Sequence, residues 1–354
     1  MQSTSQPTPN PMGVARFISA CQRQPVTTTP LWFMRQAGHC LADYRKLRES
    51  YDILTIARTP ELCSQVSLLP VERYGVDAAV MYNDIILPFA GMGLHTELDP
   101  ARGPIVENPV QSLQDVENLI ISDAEEATPF VMEAIRIVKR ELHGKQAVIA
   151  IAGGPLTLAL YILEGIPSRD YARAKTVLYQ QPEVWHALLE KITRVLISYV
   201  QAEIRAGADV VQMFDSNVGI LGPTIYRTFV QPYSQRVLAA IKDAGGVSIH
   251  FGTANASLLS AMAEAGGDVI GVDWRVDIDT AWQQIGDQHA IMGNLDPMLM
   301  LAPWDAIEAQ ARAILESVGP RPGHIFNLGH AVHPATQPDT LRRLADFVHT
   351  YSWN

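Results

Sequence analysis

The chain has 354 residues, 47% hydrophobic and 18% charged, enough to bury the core of one large α/β barrel or of two ordinary domains. Its 27 Lys and Arg against 37 Asp and Glu leave a formal charge of −10, so a nucleic-acid partner is disfavoured and any anionic ligand must be held by local positive charge. The three cysteines, Cys21, Cys40 and Cys63, form no CxxC pair, which disfavours a disulfide framework and a zinc-thiolate site and fits a reducing cytoplasm.

Residues 1–13 are rich in Ser, Thr and Pro and are expected to form a disordered tail, without the apolar stretch of a secretory leader. No uninterrupted apolar run reaches about twenty residues, so no membrane span is expected. A short helix is predicted over Val14–Gln24 and a first strand over Leu31–Met34. Helical stretches then run from Leu41 to Tyr74. A second strand follows in the phrase from Gly75 to Asp84, and a Gly/Pro-rich excursion with hairpin character spans Gly91–Asn108. The next helix covers Glu125–His143.

Further strands are predicted over Ala147–Ala152, within Gly207–Ser216, over Val247–Phe251, within Gly266–Trp274, over Ala290–Gly293 and over His324–Leu328. Helical segments lie between them, including Leu156–Glu164 and Pro182–Ala206. Eight short apolar strands alternating with helices imply a parallel sheet closed into a single (β/α)8 barrel. No GxGxxG follows the first strand, which ranks a doubly wound open sheet lower. No Gly/Ser or Pro-rich linker divides the chain, so residues 14–354 read as one domain. The phrase Gly-x-Asp-hydrophobic recurs at irregular spacing, as barrel units allow and a solenoid does not.

The residues at the predicted strand ends are Arg35, Asp84, Ser216, His250, Asp273, Asn294 and His330. A (β/α)8 barrel gathers such ends on one face, where its catalytic groups sit. Arg35 follows a strongly apolar run and is hard to solvate unless it faces a cavity; its fork suits a carboxylate-bearing ligand. The small residues Ala37 and Gly38 let backbone amides approach that ligand closely. Arg45 and Lys46 read instead as helix-surface charge. Asp84 serves either a site or the cap of the turn before Ile85-Ile86-Leu87-Pro88, and Ser216 carries the same ambiguity. Tyr161 reads as core or site, and His330 as site or structural histidine; His250 and His333 read as structural. No HExxH, GxSxG, P-loop or dinucleotide fingerprint is present, so the available chemistry is that of carboxylate, guanidinium, imidazole and phenol.

The strings PLWFMRQAG, YNDIILP, GGPLTLALYILEG, VQMFDSNVGILGP, GVDW, GNLDP and HIFNLGH occur in this order from about Arg16 to His349. With them the chain resembles the uroporphyrinogen decarboxylase family of tetrapyrrole synthesis. The resemblance implies a single (β/α)8 barrel that acts as a homodimer with no metal or organic cofactor, to which composition and charge add a cytoplasmic setting and neither nucleic-acid nor membrane partners. Its implied substrate is a tetrapyrrole, uroporphyrinogen, whose four acetate arms lose carbon dioxide to give coproporphyrinogen. Carried over by motif, Arg35, Gln36, Ala37, Gly38 and His39 would bind substrate carboxylates. Asp84 would accept hydrogen bonds from the pyrrole N–H groups, Tyr161, Ser216 and His330 would complete the substrate contacts, and Asp84 with Arg35 would be catalytic. One departure stands out: the family string reads RQAGR, whereas here His39 takes the place of its last arginine and Cys40 that of the usual aromatic. The alternatives are a corrinoid methyltransferase-like barrel, which lacks its expected thiolate ligands here, and a non-catalytic tetrapyrrole-binding homologue.

Overall fold

The computed structural model of the chain describes residues 13–99 and 102–353. The tail expected over 1–13 lies, apart from Gly13, outside the described residues. The strands are β1 (Ala78–Val80), β2 (Thr96–Asp99), β3 (Gly103–Val106), β4 (Ala147–Gly153), β5 (Val210–Asp215), β6 (Val247–Gly252), β7 (Val269–Gly271), β8 (Ala290–Leu295) and β9 (His324–Leu328). Seven of them form one parallel sheet in the order β1-β4-β5-β6-β7-β8-β9, and β2 with β3 make the expected antiparallel hairpin.

The eighth position of the barrel is filled by the segment at Leu31, which the sequence casts as a strand over Leu31–Met34. It is shorter than that. Leu31 pairs with Phe326 of β9 through one parallel bridge, supported by Phe326 N–H to Pro30 O at 2.9 Å. On its other side the Asp77 amide donates to Leu31 O at 2.9 Å. Pro30 has no N–H to offer a ladder, and the chain turns away after Met34. Thus the curled sheet closes through a single residue rather than a full strand.

The recurrent Gly-x-Asp phrase has a structural cause. Gly75 and Gly207 end their helices in the left-handed conformation, with φ of 73° and 116°, which glycine adopts without strain. Two residues on, each Asp clamps the strand before it. Asp77 Oδ2 accepts from Leu31 N–H at 2.8 Å, Asp209 Oδ2 from Val148 N–H at 2.9 Å, and Asp268 Oδ2 from Ser248 N–H at 2.8 Å. Their carbonyls in turn receive the first amides of the following strands, Ala147, Val247 and Ala290, at 3.0, 3.2 and 2.9 Å. Side chain and backbone together thereby tie three consecutive chain segments at the floor of the barrel.

Within the barrel, Val210, Ile249, Phe251, Met292 and Phe326 pack with Leu31, while Val211 and Met213 face outward to the long helix Pro182–Ala206. Phe251 faces inward, so its neighbour His250 points the other way, because adjacent strand residues alternate. The helical reading from Leu41 to Tyr74 is realised as three helices, Ala42–Ser50, Ile53–Arg58 and Pro60–Tyr74. Proline at the first turn of Pro60–Tyr74 and Pro182–Ala206 gives up no helical hydrogen bond there.

Asp77 carries the heaviest load of the three clamps. It is buried, ion-paired to Arg16 of the first helix, and bonded to His349 Nε2 of the last helix at 2.8 Å. Burial pushes its pKa up, but the His349 hydrogen bond and charge, Arg16 and the Leu31 amide outweigh that and hold it below the usual carboxylate range. Its stabilisation is therefore complete above the ordinary carboxylate pKa and is lost as pH falls through the depressed folded value. Asp77→Ala should destabilise the fold by about 3 kcal/mol at neutral pH, as measured by urea denaturation. A loss under about 1 kcal/mol would show that barrel closure does not depend on this carboxylate.

Candidate active site

Arg35 marks the point where the buried run Leu31–Met34 leaves the barrel wall. It does so at φ 53°, a left-handed conformation that costs a non-glycine residue of order 1 kcal/mol. Gln36 holds the turn. Its Oε1 accepts from Phe33 N–H at 3.1 Å and its Nε2 donates to Ala78 O at 2.9 Å, while its own amide donates to Phe33 O. The guanidinium of Arg35 is thus left on the exposed side, and its charge acts on Asp84, Tyr161 and His330 alike. Four groups distant in sequence share one electrostatic neighbourhood at the strand ends.

Asp84 lies in the turn after β1, half-buried. Its Oδ1 accepts from Ile86 N–H at 3.1 Å and its carbonyl from Leu87 N–H at 3.2 Å, so the turn-capping reading is realised. That uses one carboxylate oxygen. Oδ2 has no hydrogen-bond partner among the described residues. Burial pushes the Asp84 pKa up, opposed by the Ile86 hydrogen bond and by the charge of Arg35. A half-buried carboxylate in this setting favours donors and positive charge, since burial has removed part of the water that would otherwise supply them.

Tyr161 projects from the helix Pro155–Glu164, half-buried, with its hydroxyl 3.5 Å from Asn217 Nδ2. Burial raises its pKa, so it stays a neutral donor. Ser216 sits half-buried in the turn that follows β5. The preceding Asp215 is fully buried and accepts from Thr157 Oγ1 at 3.1 Å. Gly154 fits against it because a Cβ there would lie 2.8 Å from Asp215 Cγ.

His330 is half-buried past the end of β9, its ring 6.2 Å from Phe251 and 6.4 Å from Trp274. Burial, and then the charges of Arg35 and Arg275, hold its pKa below the ordinary imidazole range against the opposing pull of Asp273. At neutral pH it is an uncharged imidazole. Phe214 extends this wall, 5.9 Å from Phe251. An aromatic wall beside a rim of guanidinium groups suits a flat apolar ring that carries acid arms.

His39 is exposed, with its ring edge-on to Tyr44 at 5.3 Å. Tyr44 in turn meets the Tyr82 hydroxyl at 2.6 Å. The amides of Ala37, Gly38 and His39 donate to no acceptor among the described residues, which leaves three N–H groups for an anion beside Arg35.

Two sequence expectations, for Gln36 and Asn294, need correction, while the structural reading of His250 is realised. The Gln36 side chain is buried and spent on the turn, so it shapes the site without lining it. His250 lies inside β6 with its ring fully buried, 3.9 Å from Asp215, on the outer face of the sheet. Asn294 is consumed by the carbonyls of Asp273 and Val276 at 2.9 and 2.6 Å. Arg275 is the residue that sequence reasoning missed. It pairs with the buried Asp273, stacks 3.9 Å over the Trp274 ring and brings a second guanidinium to His330. Its position two residues past the strand-end Asp273 was the available signal.

The profile of the family described as uroporphyrinogen decarboxylase (URO-D) matches residues 13–351. The chain belongs to the uroporphyrinogen decarboxylase family. A protein of that name from Salinispora tropica is 46% identical over 97% of this chain and 92% of its own length. Another from Carboxydothermus hydrogenoformans is 45% identical over 95% of this chain and 96% of its own. Among solved structures, a methyltransferase from Methanosarcina mazei superposes with a TM-score of 0.80 at 21% identity, covering 94% of this chain and 97% of its own. At that identity the likeness is one of fold alone. The family's strings YNDIILP and PLWFMRQAG thus fall on the two charged groups, Asp84 and Arg35, that the fold brings together.

The raised pKa of Asp84 has a consequence for stability. Ionised at neutral pH, a carboxyl whose folded pKa is raised costs stability, and the cost vanishes as pH falls through that folded value. Asp84→Asn keeps the oxygen that caps Ile86 and removes the charge. The variant should melt above wild type at pH 7, and the gap should close as the pH is lowered in a series of thermal melts. An equal or lower melting temperature at pH 7 would contradict the desolvated carboxylate.

Proposed function

We propose that this chain removes carbon dioxide from the four acetate side chains of uroporphyrinogen III to give coproporphyrinogen III. The observation that carries the proposal is Asp84, a desolvated carboxylate with one free oxygen, in electrostatic reach of Arg35. Loss of carbon dioxide leaves an electron pair on the arm's methylene carbon, and that pair needs a sink. Protonating the pyrrole carbon next to the one that bears the arm creates a cationic ring, whose arm-bearing carbon accepts the pair as an exocyclic double bond when the C–C bond to carbon dioxide breaks. The methylene then takes a proton to become a methyl group, and the ring carbon gives one up.

Asp84 meets the cation where it develops. Its free Oδ2 faces the pyrrole N–H groups, and the carboxylate stabilises the ring's positive charge without reorganising, an effect typically of several kcal/mol. Arg35 and the free amides of Ala37, Gly38 and His39 hold the acid arms, with Tyr161, Ser216 and His330 around the ring. Neutral His330 adds no positive charge to compete with the pyrrole cation. Arg275 supplies a second guanidinium beside His330 and so offsets the family arginine that this chain lacks.

We read residues 14–354 as one catalytic domain that needs no cofactor and works in the cytoplasm as a homodimer. What supports the dimer is the resemblance to the family, and what supports the compartment is the sparse, unpaired cysteines. No helix among the described residues is long and apolar enough to cross a membrane.

Incubation with uroporphyrinogen under reducing conditions, followed by chromatography, should yield coproporphyrinogen. Binding without product would replace catalysis with a tetrapyrrole-binding role. Arg35→Ala should lower affinity and turnover together, each by about tenfold or more, since charge-assisted hydrogen bonds contribute roughly 1.5–3 kcal/mol. Arg275→Leu should raise KM about tenfold with kcat within about twofold, the mark of uniform substrate binding, and Arg275→Lys should recover part of the loss. An unchanged KM in Arg275→Leu would remove Arg275 from the substrate contacts.

A further inference from the structure

Asn217 follows Ser216 in the turn after β5, half-buried, and both its backbone and its side chain reach the helix Pro155–Glu164. Its N–H donates to Thr157 Oγ1 at 3.3 Å, and its Nδ2 donates to Tyr161 Oη at 3.5 Å. Thr157 and Tyr161 are four residues apart and lie one above the other on the same helix face, so one residue spans both. Thr157 is fully buried. Its hydroxyl donates to Asp215 Oδ1 at 3.1 Å, which leaves its oxygen free to accept from Asn217. The buried Asp215 carboxylate thus sets the direction of both bonds on this side.

On the other side Tyr171 orients the Asn217 amide. Tyr171 is buried and stands at φ 47°, a left-handed conformation that a bulky residue keeps only where its surroundings over-determine it. Its N–H donates to Ser168 Oγ at 3.0 Å, and its hydroxyl donates to Asn217 Oδ1 at 3.4 Å, its one acceptor among the described residues. A buried hydroxyl with a single acceptor in reach uses it, so the amide oxygen of Asn217 faces Tyr171 and its NH2 faces Tyr161. Burial raises the pKa of both phenols and keeps their protons in place. Tyr161 therefore receives a hydrogen bond from Asn217 while its own O–H finds no acceptor among the described residues, in electrostatic reach of Asp84 and Arg35.

We propose that Asn217 is a positioning residue which, gripped by Thr157 and Tyr171, presents Tyr161 to an acid arm of the substrate as a hydrogen-bond donor. A phenol that donates adds to the hold of Arg35 on the carboxylates, whereas one that turned its lone pairs to them would repel them. The role toward an acid arm rests on the decarboxylase reading; the orientation of the phenol does not.

Two measurements on the full chain test this, with circular dichroism and thermal melts to establish that each variant is folded. In NMR spectra of protein isotope-labelled at the tyrosine Cζ atoms, the Tyr161 resonance is identified by its loss in Tyr161→Phe. It should shift in Asn217→Leu and in Thr157→Val and keep its wild-type position in Thr157→Ser, which retains the hydroxyl. With uroporphyrinogen III as substrate, Asn217→Leu should lower kcat/KM by about five- to tenfold, the range of an ordinary hydrogen bond. Made in Tyr161→Phe, the same substitution should cost less than about twofold more, because Asn217 acts through that phenol. The proposal is overturned if the Tyr161 resonance in Asn217→Leu matches wild type, or if the losses of the two single variants multiply in full. A wild-type protein that makes no coproporphyrinogen would instead remove the decarboxylase reading. The resonance then decides the orientation alone, a shift upholding it and an unmoved signal overturning it.

Discussion

A carboxylate partly withdrawn from water beside a guanidinium is the constraint on which the upper face of this barrel depends. Asp84 gives one oxygen to the turn it sits in and keeps the other free, while burial disfavours its ionised form. Burial on its own raises its pKa. Arg35 opposes that, and a ring of pyrrole N–H donors would oppose it further. The site is thus poised for a ligand that brings donors to the centre and anions to the rim. A uniformly basic cleft would hold the acid arms equally well but would offer nothing to a positive ring.

Positioning these groups falls to the opposite end of the barrel. The three Gly-x-Asp clamps fix where the strands begin, and the strands carry that registration upward to Asp84, Ser216 and His330. The segment at Leu31 is held by its neighbours on both sides even though it contributes only one bridge residue. Arg35 can therefore adopt a left-handed backbone, because Gln36 and the buried run before it over-determine the turn. Stability is concentrated at the floor and chemistry at the rim, the division expected of a (β/α)8 barrel.

Much of this was legible in the chain itself. Short apolar runs marked every barrel strand, because a strand buried on both faces reads as a continuous hydrophobic stretch. The run at Leu31–Met34 looked like its fellows, yet Pro30 and the early turn cut it to a bridge, and propensity does not register a missing ladder partner. Asn294 stood at a strand end and so looked like a site residue, whereas His250 read as structural. Strand alternation sent His250 outward, and two backbone carbonyls claimed Asn294. Gln36 lay in the binding string but was spent on the turn. Arg275 escaped notice because its importance comes from Asp273, Trp274 and His330, residues that only the fold assembles around it. The recurrence of Gly-x-Asp was visible, whereas its meaning as a clamp required the hydrogen bonds.

The substitution of His39 for the family arginine is best understood against this arrangement. On the proposed reading it would remove a forked contact from the strap and leave Asp84, Arg35 and the three free amides in place, so that only the rim would be altered. The central claim is that the negative charge of Asp84 acts on the reaction rather than on binding alone. Its most direct test is the single-turnover rate of the first decarboxylation in Asp84→Asn, measured at saturating uroporphyrinogen beside an independent binding isotherm. The account predicts a rate lower by about a hundredfold or more with affinity changed far less. A wild-type rate in that variant, or a loss confined to affinity, would contradict it.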